Sequence, residues 1–229
     1  MPSRYDPWHT VGMHCMSTAT LHYIYDPLCG WCYGSAPLVK AAREIGGLRF
    51  VLHGGGMMAG SARQLASESL REFIMQHVAR ITGMTGQPFG EGYTDGLLRD
   101  HTAMLDSEPP TAAILAVEAA AGRGADMLAH MQKAHYIDGL ALSDRAALAS
   151  LAEGIGIERA AFDAEFSKAL GSAVQAHMAE SRRLLARVGG QGFPTFALET
   201  PQGLAMLDSS RWLGKPAEWK KALESTLAA

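Results

Sequence analysis

Cys29 and Cys32 are the residues of this sequence best spaced for chemistry, in the run Tyr25-Asp26-Pro27-Leu28-Cys29-Gly30-Trp31-Cys32. Two thiols so placed can close a disulfide and reopen it, passing two electrons each time. If a helix starts here, its unpaired N–H groups and its dipole favour a thiolate at the first cysteine. Cys29, nearer the open end, is then the attacking sulfur. Cys32 follows one turn later on the same face, where burial keeps it protonated until it resolves a mixed disulfide. Trp31 supplies an apolar surface beside the sulfur and no charge. Two other readings compete. A CxxC can be half of a zinc site, but no second Cys or His pair follows at comparable spacing, and Cys15 with His14 would need the chain to double back. Two inert buried cysteines are the remaining alternative.

The flanking pattern says what holds the pair. Thr20–Tyr25 is β-branched and aromatic enough for a strand, and Asp26-Pro27 ends it. A helix through Leu38–Ile45 follows, with Pro37 bending it just past its first turn and Gly46-Gly47 closing it. Leu48–His53 reads as a second strand ending at Gly54-Gly55-Gly56, which makes a right-handed βαβ unit with parallel strands. From 61 to 188 the pattern turns helical: Ser61 as N-cap for a helix reaching Ile81, then Pro109–Ala121, Met127–Ile137, Asp144–Ala152 capped by Ser143, Glu158–Leu170 and Ser172–Val188. Met84–Ser107 reads as a long glycine-rich loop. Thr195–Leu198 and Leu204–Leu207 form a hairpin about Pro201-Gln202-Gly203, and an amphipathic helix over Lys215–Leu227 puts Trp219, Leu223 and Leu227 on one face. The expected architecture is α/β, a βαβ…ββα sheet domain (19–60 and 189–229) carrying a large all-helical insertion (61–188). Residues 1–18 lack period and read as a poorly ordered leader.

Composition narrows the classes. Of 229 residues 48% are apolar, ample for a packed core, and a net charge of −3 with no basic run argues against nucleic acid as a partner. No stretch approaches the roughly 18 uninterrupted apolar residues of a membrane span. An odd count of three cysteines without an export signal points to the cytoplasm, where thiols stay reduced, and leaves Cys15 without an assigned role. Nine scattered histidines form no HxxxH or HExxH pair, so no metal site is expected. Twelve methionines include Met57-Met58, which can form an adaptable apolar groove for peptides, while helix packing accounts for most of the methionines. Arg182, Arg183 and Arg187 are candidates for an acidic substrate, though a solvated face at a helix C-terminal end explains them as well.

Cys29-Gly30-Trp31-Cys32 after Tyr25-Asp26-Pro27, the internal helical segment, and Gly192-Phe193-Pro194-Thr195 before a terminal hairpin and helix together resemble the DsbA-like branch of the thioredoxin-fold superfamily, and its FrnE-type cytoplasmic members in particular. The resemblance implies a thioredoxin-like fold and dithiol–disulfide exchange, oxidoreductase or isomerase, on protein, peptide or small-molecule disulfides. It also implies that Pro194 is a cis-proline facing the dithiol, with Trp31, Phe193 and Pro194 lining the docking surface. No cofactor is implied beyond the dithiol, with glutathione a candidate co-substrate; the oligomeric state stays open. Two alternatives stand beside this reading. The 2-hydroxychromene-2-carboxylate isomerases and kappa-class glutathione transferases share the fold, but typically carry serine at the first active-site position. A redox-sensing peptide holdase would use the apolar surface without turnover.

Overall fold

Thr20–Tyr25 is strand β1, and its aromatic and β-branched residues suit it for the inside of a sheet rather than an edge. The computed structural model describes residues 19–228. Helix α1 (Gly30–Gly34) and helix α2 (Ala36–Arg43) follow, then β2 (Arg49–Gly54), β3 (Gln64–Leu65), α3 (Glu68–Thr85), β4 (Met104–Leu105), α4 (Glu108–Ala121), α5 (Gly124–Tyr136), α6 (Arg145–Gly154), α7 (Arg159–Ala169), α8 (Ser172–Arg187), β5 (Thr195–Thr200), β6 (Gly203–Leu207) and α9 (Pro216–Leu227). The sheet order is β2-β1-β5-β6, with β1 parallel to β2 and antiparallel to β5. This is a thioredoxin-like sheet with helices inserted between β2 and β5.

Period-two alternation sorts the sheet into two faces. Leu21, Tyr23 and Tyr25 share one face, where Tyr23 stacks on Phe196 of β5 at 4.6 Å and Phe196 meets Trp219 of α9 edge-on at 5.4 Å. His22 and Ile24 take the other face, together with His53 of β2, which lies across from Ile24. One buried cluster runs from Leu21, Tyr23 and Phe196 through Cys29 and Cys32 to Val117, Met127, Leu148, Phe162 and Phe166 of the inserted helices. The cysteine pair therefore sits in a core shared by sheet and helices.

Several boundaries differ from the pattern reading, each for a local reason. The first helix breaks at Ser35 rather than bending at Pro37, because a proline at the second position of α2 has no N–H to continue the ladder and suits a fresh start. Helix α3 is capped by Ser67, whose hydroxyl accepts from the N–H of Leu70, and not by Ser61; Leu65 is 47% exposed on the ribbon β3–β4. Asp144, not Ser143, caps α6. The segment 84–107 is not an open loop. Alpha3 continues to Thr85, Gly92–Gly96 and Leu97–Arg99 are helical turns, and Tyr93, Leu97 and Leu98 pack inward against Tyr33 and Tyr136. Cys15 and the expected leader over 1–18 lie outside the described residues.

Candidate functional site

Asp26 sets the site. It ends β1 fully buried, with Oδ1 accepting from the Leu28 N–H at 2.8 Å and the Ser107 hydroxyl at 3.0 Å, and Oδ2 accepting from the Met57 N–H at 2.5 Å. One carboxylate thus joins the strand end, the segment after β2 and the start of α4. Burial raises its pKa above the usual carboxylate value, and the three hydrogen bonds oppose that rise. The chain then turns into α1 with Cys29 as N-cap, its carbonyl accepting from the N–H of Cys32 at 2.9 Å and of Tyr33 at 3.1 Å.

The two sulfurs have different surroundings. Cys29 is 5% exposed and lines an open groove of about 250 Å³, while Cys32 is fully buried. Burial pushes the Cys32 thiol well above its ordinary range, and its hydrogen bond with Cys29 and that neighbour's charge push in the same direction. The Tyr23 hydroxyl donates to the Cys32 carbonyl at 3.2 Å and fixes the turn of α1 from below. Helix α3 closes over the pair because Gly34 has no side chain: a Cβ there would come within 2.8 Å of Ile81.

The segment before β5 brings Phe193 beside Cys29. The Phe193–Pro194 peptide is cis, and the Cys29 thiol donates to the Phe193 carbonyl at 3.5 Å. The Phe193 ring rests on Gly55, where any Cβ would overlap it. Arg182 donates through Nε to the Gly55 carbonyl at 2.7 Å and through a second nitrogen to the Gly56 carbonyl. Arg182, read from the sequence as part of a solvated face or as a substrate cation, is instead tied to backbone: α8 crosses the end of β2, and the Arg182 guanidinium braces the glycine turn beneath Phe193. Trp31 is half-buried and lines the same groove as Cys29 and Phe193.

Other parts of the site escaped the sequence reading. His77 of α3 accepts at Nδ1 from the Trp31 indole N–H at 3.3 Å, and the Arg80 guanidinium lies 5.6 Å above the Trp31 ring. Once Leu70, Ile74, Val78 and Ile81 are assigned inward, the adjoining face of α3 holds Phe73, His77, Arg80 and Met84, a signal that periodicity offered. Tyr93 lines the groove with Cys29, and Tyr136 behind it keeps a buried hydroxyl without a partner. On the far face of the sheet His22 and His53 share a hydrogen bond of 2.9 Å, His22 also meets Glu199 at 3.0 Å, and His177 accepts from the Gly54 N–H at 3.0 Å. Among the described residues no three His, Cys, Asp or Glu side chains converge as a metal would require. No helix among them is long and apolar enough to cross a membrane.

Residues 20–214 match the family model of the DSBA-like thioredoxin domain. Among solved structures, the chain is similar to the cytosolic disulfide reductase DsbM from Pseudomonas aeruginosa, at 50% identity and TM-score 0.86, over 91% of this chain and 98% of that one. DsbM solved with GSH is similar at 50% identity and TM-score 0.85, over 92% of this chain and 100% of that one. A putative protein disulfide isomerase from Nitrosomonas europaea shares the fold at 24% identity and TM-score 0.74, over 91% and 96% of the two chains. Nothing among the curated proteins matches.

Proposed function

From the premise that this chain belongs to the DSBA-like thioredoxin domain family and is a thiol–disulfide oxidoreductase, we propose that it works as a cytoplasmic disulfide reductase with Cys29 as nucleophile, Cys32 as resolving thiol and glutathione as the thiol that resets the pair. The observation that carries the reading is the asymmetry of the two sulfurs: Cys29 opens onto the groove beside the Phe193 carbonyl, while Cys32 is fully buried one turn behind. The similar protein solved with GSH supports the choice of thiol, and its description as cytosolic supports the compartment.

The steps follow from the geometry. Cys29 thiolate attacks a substrate disulfide lying along Trp31, Phe193 and Pro194; a mixed disulfide forms and a substrate thiolate leaves. Burial is the main reason Cys32 stays protonated, and once the Cys29 sulfur is in that bond the hydrogen bond and charge of Cys29 no longer add to it. Cys32 then gives up its proton and attacks the Cys29 sulfur, which releases the second substrate thiol and leaves the Cys29–Cys32 disulfide. Two glutathione molecules return it to the dithiol. The test is the equilibrium of the pair against graded glutathione buffers, with Cys15 replaced and thiols trapped for mass analysis. A potential near about −270 mV supports a reductase, and one near about −120 to −180 mV makes the protein an oxidant or isomerase instead. Failure to form an intramolecular disulfide in any buffer refutes the dithiol reading.

A further inference from the structure

Two hollows adjoin at Trp31 and Phe193, which line both. The first contains Cys29 and is apolar, walled by Met57, Met58, Leu70, Phe73 and Ile74, with Phe73 left 58% exposed at its rim. The second runs along Trp31, Phe193 and Pro194 to Ser209, Ser210 and Arg80. Arg80 is exposed and forms no ion pair with a carboxylate among the described residues. Its guanidinium is instead parked over the Trp31 ring, a contact that holds an arginine in one place without using its hydrogen-bond donors. An arginine so held presents a fork that fits a carboxylate, and it does so in a protein whose net charge of −3 gives anions no general attraction.

We propose that these hollows are the two halves of one substrate site, and that the protein reduces mixed disulfides joining a small anionic thiol, its carboxylate on Arg80, to a peptide cysteine flanked by apolar side chains that enter the groove at Phe73. The proposal rests on the reductase reading above and names its substrate class: cysteines capped by glutathione. Cys29 thiolate attacks the glutathione sulfur, the glutathione–peptide S–S bond breaks, and the peptide leaves as a thiolate that takes a proton from water. Cys32 loses its proton to solvent and attacks the Cys29 sulfur, expelling glutathione thiolate and leaving the enzyme oxidised by two electrons. Two further glutathione molecules reduce it and depart joined as their disulfide.

The experiment compares three synthetic substrates on the full chain: an apolar-flanked cysteine peptide capped by glutathione, the same peptide capped by uncharged 2-mercaptoethanol, and a serine- and aspartate-flanked peptide capped by glutathione. The first is expected to exceed each of the others about tenfold in kcat/KM, the scale of one charge-assisted hydrogen bond or one buried apolar group. Arg80→Ala should erase the preference for the glutathione cap and keep the preference for apolar flanks, whereas Phe73→Ser should do the reverse. Both positions are exposed on α3, so the variants fold. Equal turnover of all three substrates by the unaltered protein, or an equal loss on both caps in Arg80→Ala, overturns the proposal while leaving the reductase reading intact. Turnover of none of them, with a dithiol that does not exchange with glutathione, sinks the reductase reading itself.

Discussion

Replacing Asp26 tests how the site is held together. In Asp26→Ala three donors lose their acceptor at once: the N–H groups of Leu28 and Met57 and the hydroxyl of Ser107. Each buried donor left without a partner costs about 1–3 kcal/mol, so at the low end of that range the variant loses about 3 kcal/mol. For a chain of this size that is a fall of roughly 6–12 °C in Tm. Asp26→Asn separates hydrogen bonding from charge. Its amide oxygen can keep Leu28 and Ser107, but its NH₂ group then faces the Met57 N–H, and the loss is that of one contact. The charge shows in the pH dependence. Burial raises the folded pKa above the ordinary 3.8, so between those two values the folded protein holds a proton that the unfolded chain has lost. Asp26's own contribution to stability therefore falls as pH rises from 3.8 through its folded pKa, and that contribution is absent in Asp26→Asn, so the difference between the two proteins isolates it. Urea unfolding of all three proteins between about pH 4 and 7 measures both effects. An Asp26→Ala variant within about 1 kcal/mol of the parent, or a gap between parent and Asp26→Asn that ignores pH, would refute this account.

Three further outcomes are expected. Cys32→Ser should accumulate a stable mixed disulfide between Cys29 and glutathione, visible by mass spectrometry, while Cys29→Ser forms none; a Cys32 adduct in the latter would reverse the assigned roles. His53 is pushed down to about 4 by burial and by the neighbouring His22 and His177, so the folded protein declines a proton that the unfolded chain accepts. His53 thereby contributes up to about 3 kcal/mol of stability that is lost as pH falls from about 6.5 toward 4, and His53→Asn should make that arm of a pH–stability curve shallower, with His135, also pushed down to about 4 by burial, still contributing. Trp219→Ala should cost about 3–5 kcal/mol by denaturant titration, because it empties the space against Phe196. Trp219→Phe should stay within about 1.5 kcal/mol, since the indole N–H it removes has no partner.

Much of the fold is legible in the sequence because local chemistry and tertiary packing agree there. Strand β1 follows its β-branched and aromatic residues, α9 follows the spacing of Trp219 and Leu223, and Gly122 ends α4 in the left-handed conformation that glycine adopts freely. The stretch 84–107 misleads for the opposite reason. Its glycines signal a loop, but Tyr93, Leu97 and Leu98 gain enough from burial against Tyr33 and Tyr136 to coil it into helical turns. Ser61 and Ser67 look alike as caps, and only the pairing of Gln64 and Leu65 with β4 chooses between them.

The site divides in the same way. The spacing of Cys29 and Cys32, and the strand-to-helix junction that holds them, are local facts, and the sequence by itself settled them. Beyond Phe193 and Pro194, which the family resemblance implied, the partners that reach the dithiol, and every distance between them, were decided by tertiary structure alone. Phe193 arrives from 164 residues away to put its carbonyl 3.5 Å from the Cys29 sulfur, and His77 comes from a helix whose hydrophobic period marks only its buried side. Arg182 could have been a substrate cation by composition, yet the crossing of α8 over the end of β2 spends it on two backbone carbonyls. Periodicity reports which side of an element is buried. It cannot report what the other side meets, because that depends on crossing angles and register between elements far apart in the chain.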